Sequence, residues 1–469
     1  MKKKGRFFFL YFILFRHTVL FMSFVSLSLA FFFPSVVSAQ VPVDEEAMFS
    51  NSDTVIEKHI LPADDSGPKR TKASLGVSGT VSSINTVSLR HADDEFDNVY
   101  SDSAIVSNLF FDARYATFYK FFANWEIYSV HPWDKSGQAA LPEQPDKVRS
   151  RLTEIFMDTP IRNTVYLRWG KQVLQWGRCK LWNPTDLINV DKETFIKRTV
   201  SKEGVYGVKV HVPSGTRYNF YGFIDTGKEL DSNKTGGAVK FEFLTGKTEM
   251  AFSFWDKARY LPVYGYDFST RAMKLDLAGE ISASKGFVRD ILKDDNGVLL
   301  KTRSRDDWFI RASFDVGRNF KFNDQPDKIN VTCEAFYNGA GYTKKIFNDG
   351  ANYAYADPVT LSDGTVKASG DKKTFFLLNN MYDANYYGRY YLALFTSVNK
   401  FITSDYTLNN NVIVNVSDGS GIFSTGIQYQ NLNNWEAALT AYVFLGPQNR
   451  EYTVSQIRTS FQLSATYRF

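Results

Sequence analysis

The 469-residue chain contains only two cysteines, Cys179 and Cys333, and five histidines. Four of those histidines, His59, His91, His131 and His211, follow residue 39 and are widely spaced, without cysteine or carboxylate pairs at ligand intervals. No metal site is therefore written in the spacing, and no disulfide framework either. A Gly-rich phosphate loop and a Gly-x-Ser-x-Gly elbow are both missing, so nothing points to a nucleotide or another cofactor. Beyond residue 39 no run of about 18 apolar residues occurs, so no transmembrane helix is encoded.

Negative charge is missing from the first 39 residues, which carry Lys2, Lys3, Lys4, Arg6 and Arg16 ahead of an apolar run densest from Phe21 to Val37. Val37-Ser38-Ala39 supplies the small residues a signal peptidase reads, so residues 1–39 are expected to be a secretory leader with cleavage before Gln40. An uncleaved anchor is the alternative. Removing the leader takes away five positive charges, and the formal +5 of the chain becomes 0. The basic pI belongs to the leader, and nothing in the charge supports nucleic-acid binding.

What is abundant is aromatic residues, 16% of the chain with 41 Phe and 26 Tyr, alongside a negative mean hydropathy of -0.27. An aromatic-rich chain that is polar on average fits a barrel with a lipid-facing apolar band, aromatic girdles and a wet interior. It excludes disorder. Period-two alternation marks strands near 75–90, 104–116, 118–129, 149–158, 163–174, 203–213, 216–225, 236–244, 247–256, 271–285, 305–317, 328–338, 386–398, 404–416, 421–430, 435–445 and 456–469. Seventeen is odd, whereas a bacterial barrel with both ends on one side needs an even count, so one window is wrong or one strand is missing. The expectation is an all-β transmembrane antiparallel barrel over 74–469 with about 16 strands, range 14–18, its weakest windows between 75 and 160. Residues 40–73 read as a periplasmic segment preceding it.

Alternation also sorts chemistry by face. Val239, Phe241 and Phe243 oppose Lys240 and Glu242; Met273, Leu275, Leu277 and Ile281 oppose Lys274, Asp276 and Glu280. Trp308, Ile310, Ala312, Phe314 and Val316 oppose Asp307, Arg311 and Asp315. A Lys or Arg facing lipid at the midplane costs about 2–4 kcal/mol, so the charged faces are expected to line the lumen. A soluble sandwich would place the same faces in water. Lys209 shares its face with His211, the first suspect for a hydrolase assembled across strands; the plainer expectation is a lumen-lining histidine without catalytic role. Cys333 falls on the apolar face with Val331 and Ala335, and Cys179 in a polar stretch, so two free thiols are expected. Hairpin signals at Pro213-Ser214-Gly215, Thr245-Gly246-Lys247 and Ser417-Asp418-Gly419 favour antiparallel neighbours. The longest gap, 339–385, is expected outside the cell, as a recognition element or as a loop folded over the mouth.

Residues 169–189, WGKQVLQWGRCKLWNPTDLIN, interrupt the strand series. The strand that leads into them carries Val165, Leu167 and Trp169 outward and Tyr166, Arg168 and Gln172 inward. Gly170 and Gly177 then allow sharp turning, and Asn183-Pro184-Thr185-Asp186 predicts a short capped helix from Pro184. Two readings stay open. Arg168, Arg178, Lys180 and Asp186 set the field in a pore constriction, or Trp169, Trp176 and Trp182 anchor a closed turn at the barrel rim.

Arg168, Gly170, Lys171 and Gln172, then Trp176-Gly177, then Asn183, Pro184 and Asp186 resemble a signature of porin-like bacterial outer-membrane barrels from spirochaetes and proteobacteria, near the alginate-export families. The final strand, with Tyr467 and the terminal Phe469, resembles the closing strand of such barrels, which the barrel-assembly machinery reads. The resemblance implies a single-chain porin-like barrel in the outer membrane, with the 169–189 segment in or near the lumen. It implies passive diffusion of small hydrophilic solutes, without cofactor or covalent chemistry. The alternatives are a surface adhesin working through 339–385 and a transporter of a hydrophobic substrate such as a fatty acid.

Overall fold

The computed structural model describes residues 73–469 except 93–94, 116–118, 133–147, 163, 187, 189–202, 228–234, 259–261, 287–289, 305, 344–345, 349, 361–363, 380, 383 and 431–433. The expected leader and nearly all of the 40–73 segment lie outside the described residues. Alternating residues give strands throughout. The first run is β1 (Ala73–Ala92), β2 (Glu95–Tyr115), β3 (Tyr119–Pro132), β4 (Arg149–Ile161), β5 (Val165–Gln172), β6 (Val205–Ser214) and β7 (Tyr218–Asp225). It continues through β8 (Gly236–Thr245), β9 (Thr248–Lys257), β10 (Val263–Ala272), β11 (Leu275–Lys285), β12 (Ile291–Asp295), β13 (Val298–Thr302), β14 (Trp308–Phe322) and β15 (Gln325–Asn338). After these come β16 (Tyr353–Thr360), β17 (Val366–Gly370), helix α1 (Lys372–Leu378), β18 (Tyr390–Asn399), β19 (Tyr406–Asn415), β20 (Ser420–Gln430), β21 (Trp435–Leu445) and β22 (Ile457–Arg468).

Eighteen of these strands form one sheet, antiparallel at each pairing, and β12, β13, β16 and β17 form a second, smaller one. The large sheet closes because β1 pairs with both β2 and β22. Phe469 extends the seam: its N–H donates to Gly79 O at 3.0 Å, and Gly79 N–H returns a 2.8 Å bond to Phe469 O. A closed barrel leaves no edge unpaired in the membrane. The count is 18, the top of the expected range and not 16. Every expected window contains a barrel strand, including those between 75 and 160. The missing strand is β10, and its hairpin with β11 turns at Met273 and Lys274, both with positive φ.

The outer face is apolar: Phe241, Phe252, Tyr264, Ile281, Ile310, Phe314, Leu392, Leu439 and Leu463 are each more than a third exposed. Tyr406 with Tyr429, and Trp435 with Tyr467, form ring pairs at the end that carries the C-terminus. Tyr264 with Trp308, and Tyr337 with Tyr390, do so at the other. These are the two aromatic girdles of a membrane barrel. The inner face carries the polar set, with Lys240, Asp267, Glu280, Asp315 and Glu334 all buried. Cys333 is free and exposed on the outer face, and Cys179 free and buried, as their faces required. Hairpins at the terminal end are short, including Thr245–Thr248 and Ala272–Leu275. Long connections occupy the opposite end. There β13 pairs in parallel with β16, and Leu299, Tyr355 and Phe375 make a small separate core.

Candidate functional site

The site is built by residues 173–186 together with Ile188, which leave β5 and fold into the barrel. Gly170 starts the departure: its φ of +124° belongs to the region that favours glycine, and a Cβ there would meet Ile155 O at 2.2 Å. Gly177 lets the chain fold back on itself, since a Cβ would lie 2.2 Å from Asn183 Oδ1. Asn183 to Asp186 makes a turn, closed by Asp186 N–H to Asn183 O at 3.1 Å. No helix begins at Pro184. Thr185 has both its N–H and its hydroxyl committed to Glu280, at 3.0 and 2.7 Å, and this tertiary bonding replaces the expected first turn. Tertiary bonding overrides local propensity here.

Two carboxylates on the wall hold the segment. Glu280, on β11, accepts from the N–H groups of Arg178, Cys179 and Thr185. Glu334, on β15, accepts from Leu181 N–H and Trp182 N–H, both at 2.8 Å. A carboxylate offers about four lone-pair sites, so each can satisfy several loop donors that otherwise lack partners. Lys240 on β8 adds a 2.8 Å bond from its amine to Trp176 O.

Side chains complete the docking. Trp182 is fully buried, stacked on Phe336 at a centroid distance of 5.3 Å and tilted against Tyr391 at 5.5 Å. Trp176 is buried with Leu174, Ile188, Phe223 and Trp255. Only Trp169 stands on the outer face, 51% exposed. The rim-anchor reading of all three tryptophans is thus corrected: two of them pack inside the barrel.

Arg178 meets Asp267, Glu249 at 2.6 Å and Glu242 at 3.1 Å, carboxylates of three successive strands. Burial works against its charge, but the three acids outweigh that and raise its pKa further. Lys240 joins this cluster at 3.2 Å from both Glu242 and Asp267. Lys180 lies over the Phe395 ring at 4.8 Å; burial lowers its pKa, partly offset by Asp315 and Glu334. Cys179 has its thiol pushed up by burial and by Glu280, which keeps it protonated and unreactive.

The other expected residues fall as follows. Arg168 faces inward, bonded twice to Asp158 at 2.7 and 2.9 Å and stacked 4.0 Å from the Phe156 ring centroid. Lys209 pairs with Arg168 across the strands. Asp186 is buried in the segment, Asp315 is buried on the wall, and Arg311 shares the inner face with Ser313. Asp276 pairs with Arg271 near the terminal end. Lys274 is a correction: it sits in the β10–β11 turn and lines no part of the wall. His211 stacks on Tyr221 at 4.4 Å and bonds Asn219 at 3.0 Å; these contacts are those of a packed wall residue.

One arrangement escaped the sequence. Arg114, Lys120, Asp158, Arg168 and Lys209 lie in one cross-strand row over β2 to β6. Asp112 bonds Arg114 at 3.0 Å and lies 3.5 Å from Lys120. With Asp112 counted beside it, this inward row carries four cations and two acids, and it faces the wall on which the segment is docked. The alternation in each strand contained the signal, but only register brings the five into line.

The segment is also tied to two further long connections. Trp182 Nε1 donates to Asn385 O at 2.9 Å, Asn385 N–H donates to Glu451 at 2.8 Å, and Tyr452 hydroxyl donates to Asn385 Oδ1 at 2.6 Å. Glu451 also accepts from Tyr391 and Asn415, each at 2.8 Å. The expected 339–385 element thus contributes Asn385 to the docking of the inward segment, and β16 and β17 to the second sheet, whose β12 and β13 come from the preceding connection.

No protein-family model and no curated protein matches the sequence. Among solved structures, the chain is similar to a BenF-like porin from Pseudomonas fluorescens Pf-5, at 11% identity and a TM-score of 0.50, over 84% of this chain and 98% of that one. Pseudomonas aeruginosa OccK9 (OpdG) covers the same shares at 9% identity and a TM-score of 0.49. Pseudomonas aeruginosa OccK5 (OpdH) does so at 8% and 0.48. At such identity the likeness is one of fold: the chain has the closed antiparallel architecture of an outer-membrane porin.

Proposed function

We propose that the chain is an outer-membrane channel for passive diffusion of small hydrophilic solutes, narrowed by residues 173–186 and Ile188. The observation that carries this reading is the docking of that segment inside a closed barrel, on Glu280 and Glu334 of the wall. Opposite it, the row of Arg114, Lys120, Asp158, Arg168 and Lys209 sets a net positive field, which favours small anions. Arg178 does not set that field, because its charge is spent on three acids. The channel works without covalent chemistry. The Arg-x-Gly-Lys-Gln, Trp-Gly and Asn-Pro-x-Asp signature reads as the sequence mark of the inward-folded segment. Lys171 supports this, since its amine bonds Leu152 O at 2.6 Å and Glu203 at 2.8 Å beside the departure point. Liposome swelling with neutral and anionic solutes of graded size tests the function. Uptake that falls with solute size supports it, and impermeable liposomes defeat it.

A second reading, surface recognition, is favoured by one observation: the β12–β13–β16–β17 sheet stands at the long-connection end with its own small core. Cleavage of whole cells within 291–302 or 353–370 by added protease supports it, and protection there removes it. Transport of a hydrophobic substrate finds no support in an inner face this rich in charge.

A further inference from the structure

The hairpins at the end that carries the C-terminus hold a charge pattern that the channel reading does not use. Arg162 in the β4–β5 turn, Arg217 in β6–β7, Lys247 in β8–β9 and Lys274 in β10–β11 are all exposed, so four consecutive turns present one cation each. None of these side chains has an ion pair or a hydrogen bond among the described residues. Their backbones, by contrast, are fixed. The Thr164 hydroxyl donates to Arg162 O at 3.1 Å, Leu244 N–H to Arg217 O at 2.8 Å, and the Thr270 hydroxyl to Lys247 O at 3.3 Å. Charges leave the rim here from turns that are held in place.

The nearby acids of the same strands are already committed. Asp158 pairs with Arg168, Glu242 and Glu249 with Arg178, and Asp276 with Arg271. Neighbouring turns are two strand steps apart, about 10 Å at roughly 4.8 Å per step, and the Debye length at physiological ionic strength is about 8 Å. The fields of adjacent cations therefore overlap, and an approaching acid meets one continuous arc. The next two turns differ. Around β14–β15 and β18–β19, Asp324, Asp327 and Asp405 offset Lys321, Lys328 and Lys400.

That one-sidedness separates the possible partners. Anionic headgroups surround a barrel evenly, so cations that serve only to anchor it in lipid belong at every turn. An arc on one side suits a body that docks on one side. Three intervals of about 10 Å span about 30 Å, the diameter of a small protein domain. The inward row that includes Arg168 and Lys209 starts over the first two of these turns, so the arc borders the mouth of the lumen. Short turns of an outer-membrane barrel face the periplasm. We infer that this arc docks an acidic soluble protein of the periplasm, seated at the edge of the mouth. Charge complementarity spread over several points steers encounter and fixes orientation more than it adds affinity, which suits a transient partner. The inference is independent of what the lumen carries, and its failure leaves the channel reading untouched.

The test places a photo-crosslinking amino acid at Thr216, exposed in the second of these turns, in living cells that make the full chain. The expected result is a discrete adduct with one soluble protein of net negative charge. Once purified, that protein binds the folded full chain in detergent with an affinity that falls as salt rises. Arg162→Glu, Arg217→Glu, Lys247→Glu and Lys274→Glu together cut the adduct at least about tenfold. Lys321→Glu with Lys400→Glu leaves it unchanged, and heat-modifiable gel mobility confirms that each barrel is folded. Adducts with lipid alone, or within the chain itself, overturn the inference. So do the absence of any adduct, a partner without net negative charge, and an adduct that survives the fourfold reversal.

Discussion

Trp182 Nε1 donates a 2.9 Å hydrogen bond to the backbone carbonyl of Asn385, 203 residues away, while the ring itself is fully buried against Phe336 and Tyr391. The bond joins the inward segment to the connection that precedes β18. Trp182→Ala removes a large buried ring, at a cost of about 3–5 kcal/mol, and leaves the Asn385 carbonyl without its donor. The expected outcome is an intact barrel whose single-channel current is larger and noisier. Unchanged conductance would show that the segment does not narrow the pore.

Glu280 holds three backbone N–H groups of the segment and the Thr185 hydroxyl. Glu280→Ala leaves those donors unpaired, at about 1–3 kcal/mol each, so the segment should leave the wall. Cys179 reports this directly, since it is 4% exposed when the segment is docked. In a Cys333→Ala background, a water-soluble maleimide should label Cys179 slowly in the parent and much faster in Glu280→Ala. Equal rates would remove Glu280 as an anchor.

Charge reversals separate the field-setting cations from the structural one. Arg168→Glu combined with Lys209→Glu turns a row of four cations and two acids toward the opposite sign, so reversal potentials in a KCl gradient should shift from anion toward cation preference. Arg178→Glu sets a fourth carboxylate against Glu242, Glu249 and Asp267, so it should release the segment rather than merely tune selectivity. Fast labelling of Cys179 in this variant, and slow labelling in the double variant, is the expected pattern.

Glu451 gives the docking a pH dependence. Burial pushes its carboxyl from 4.5 up to about 8, with nearby Asp418 adding to the effect and the bonds from Tyr391, Asn415 and Asn385 opposing it. A raised folded-state value means that its contribution to stability is whole below 4.5 and declines as the pH rises toward 8. Amide hydrogen exchange within 446–456, corrected for its intrinsic rate, should be slower at pH 5 than at pH 9. Glu451→Gln should flatten that difference, and the same difference in both proteins would assign it to another group.

Much of the barrel was legible because a strand in a membrane wall obeys one rule, apolar outward and polar inward, over its whole length. In β8 and β14 the rule placed Lys240, Glu242, Arg311 and Asp315 on the inner face from sequence alone. It failed at β10, where VYGYDFSTRA runs into β11 through Met273 and Lys274. Both adopt the positive φ of a tight hairpin, yet neither is the Gly, Asn or Asp that announces such a turn. That missed turn also put Lys274 on the wall. The docking of the inward segment was illegible for another reason. Its bonds join Arg178 to Glu242, 64 residues on, and Leu181 to Glu334, 153 residues on, and no local pattern records such pairings. Asn183-Pro184-Thr185-Asp186 carried true local helix signals that Glu280 overrode.

Planar-bilayer recording of the purified, folded chain tests the central claim most directly. Discrete channel openings in the wild type, with conductance raised by Trp182→Ala and by Glu280→Ala, are the predicted result. Membranes that stay silent across several salts, with a barrel shown to be folded, would contradict the account.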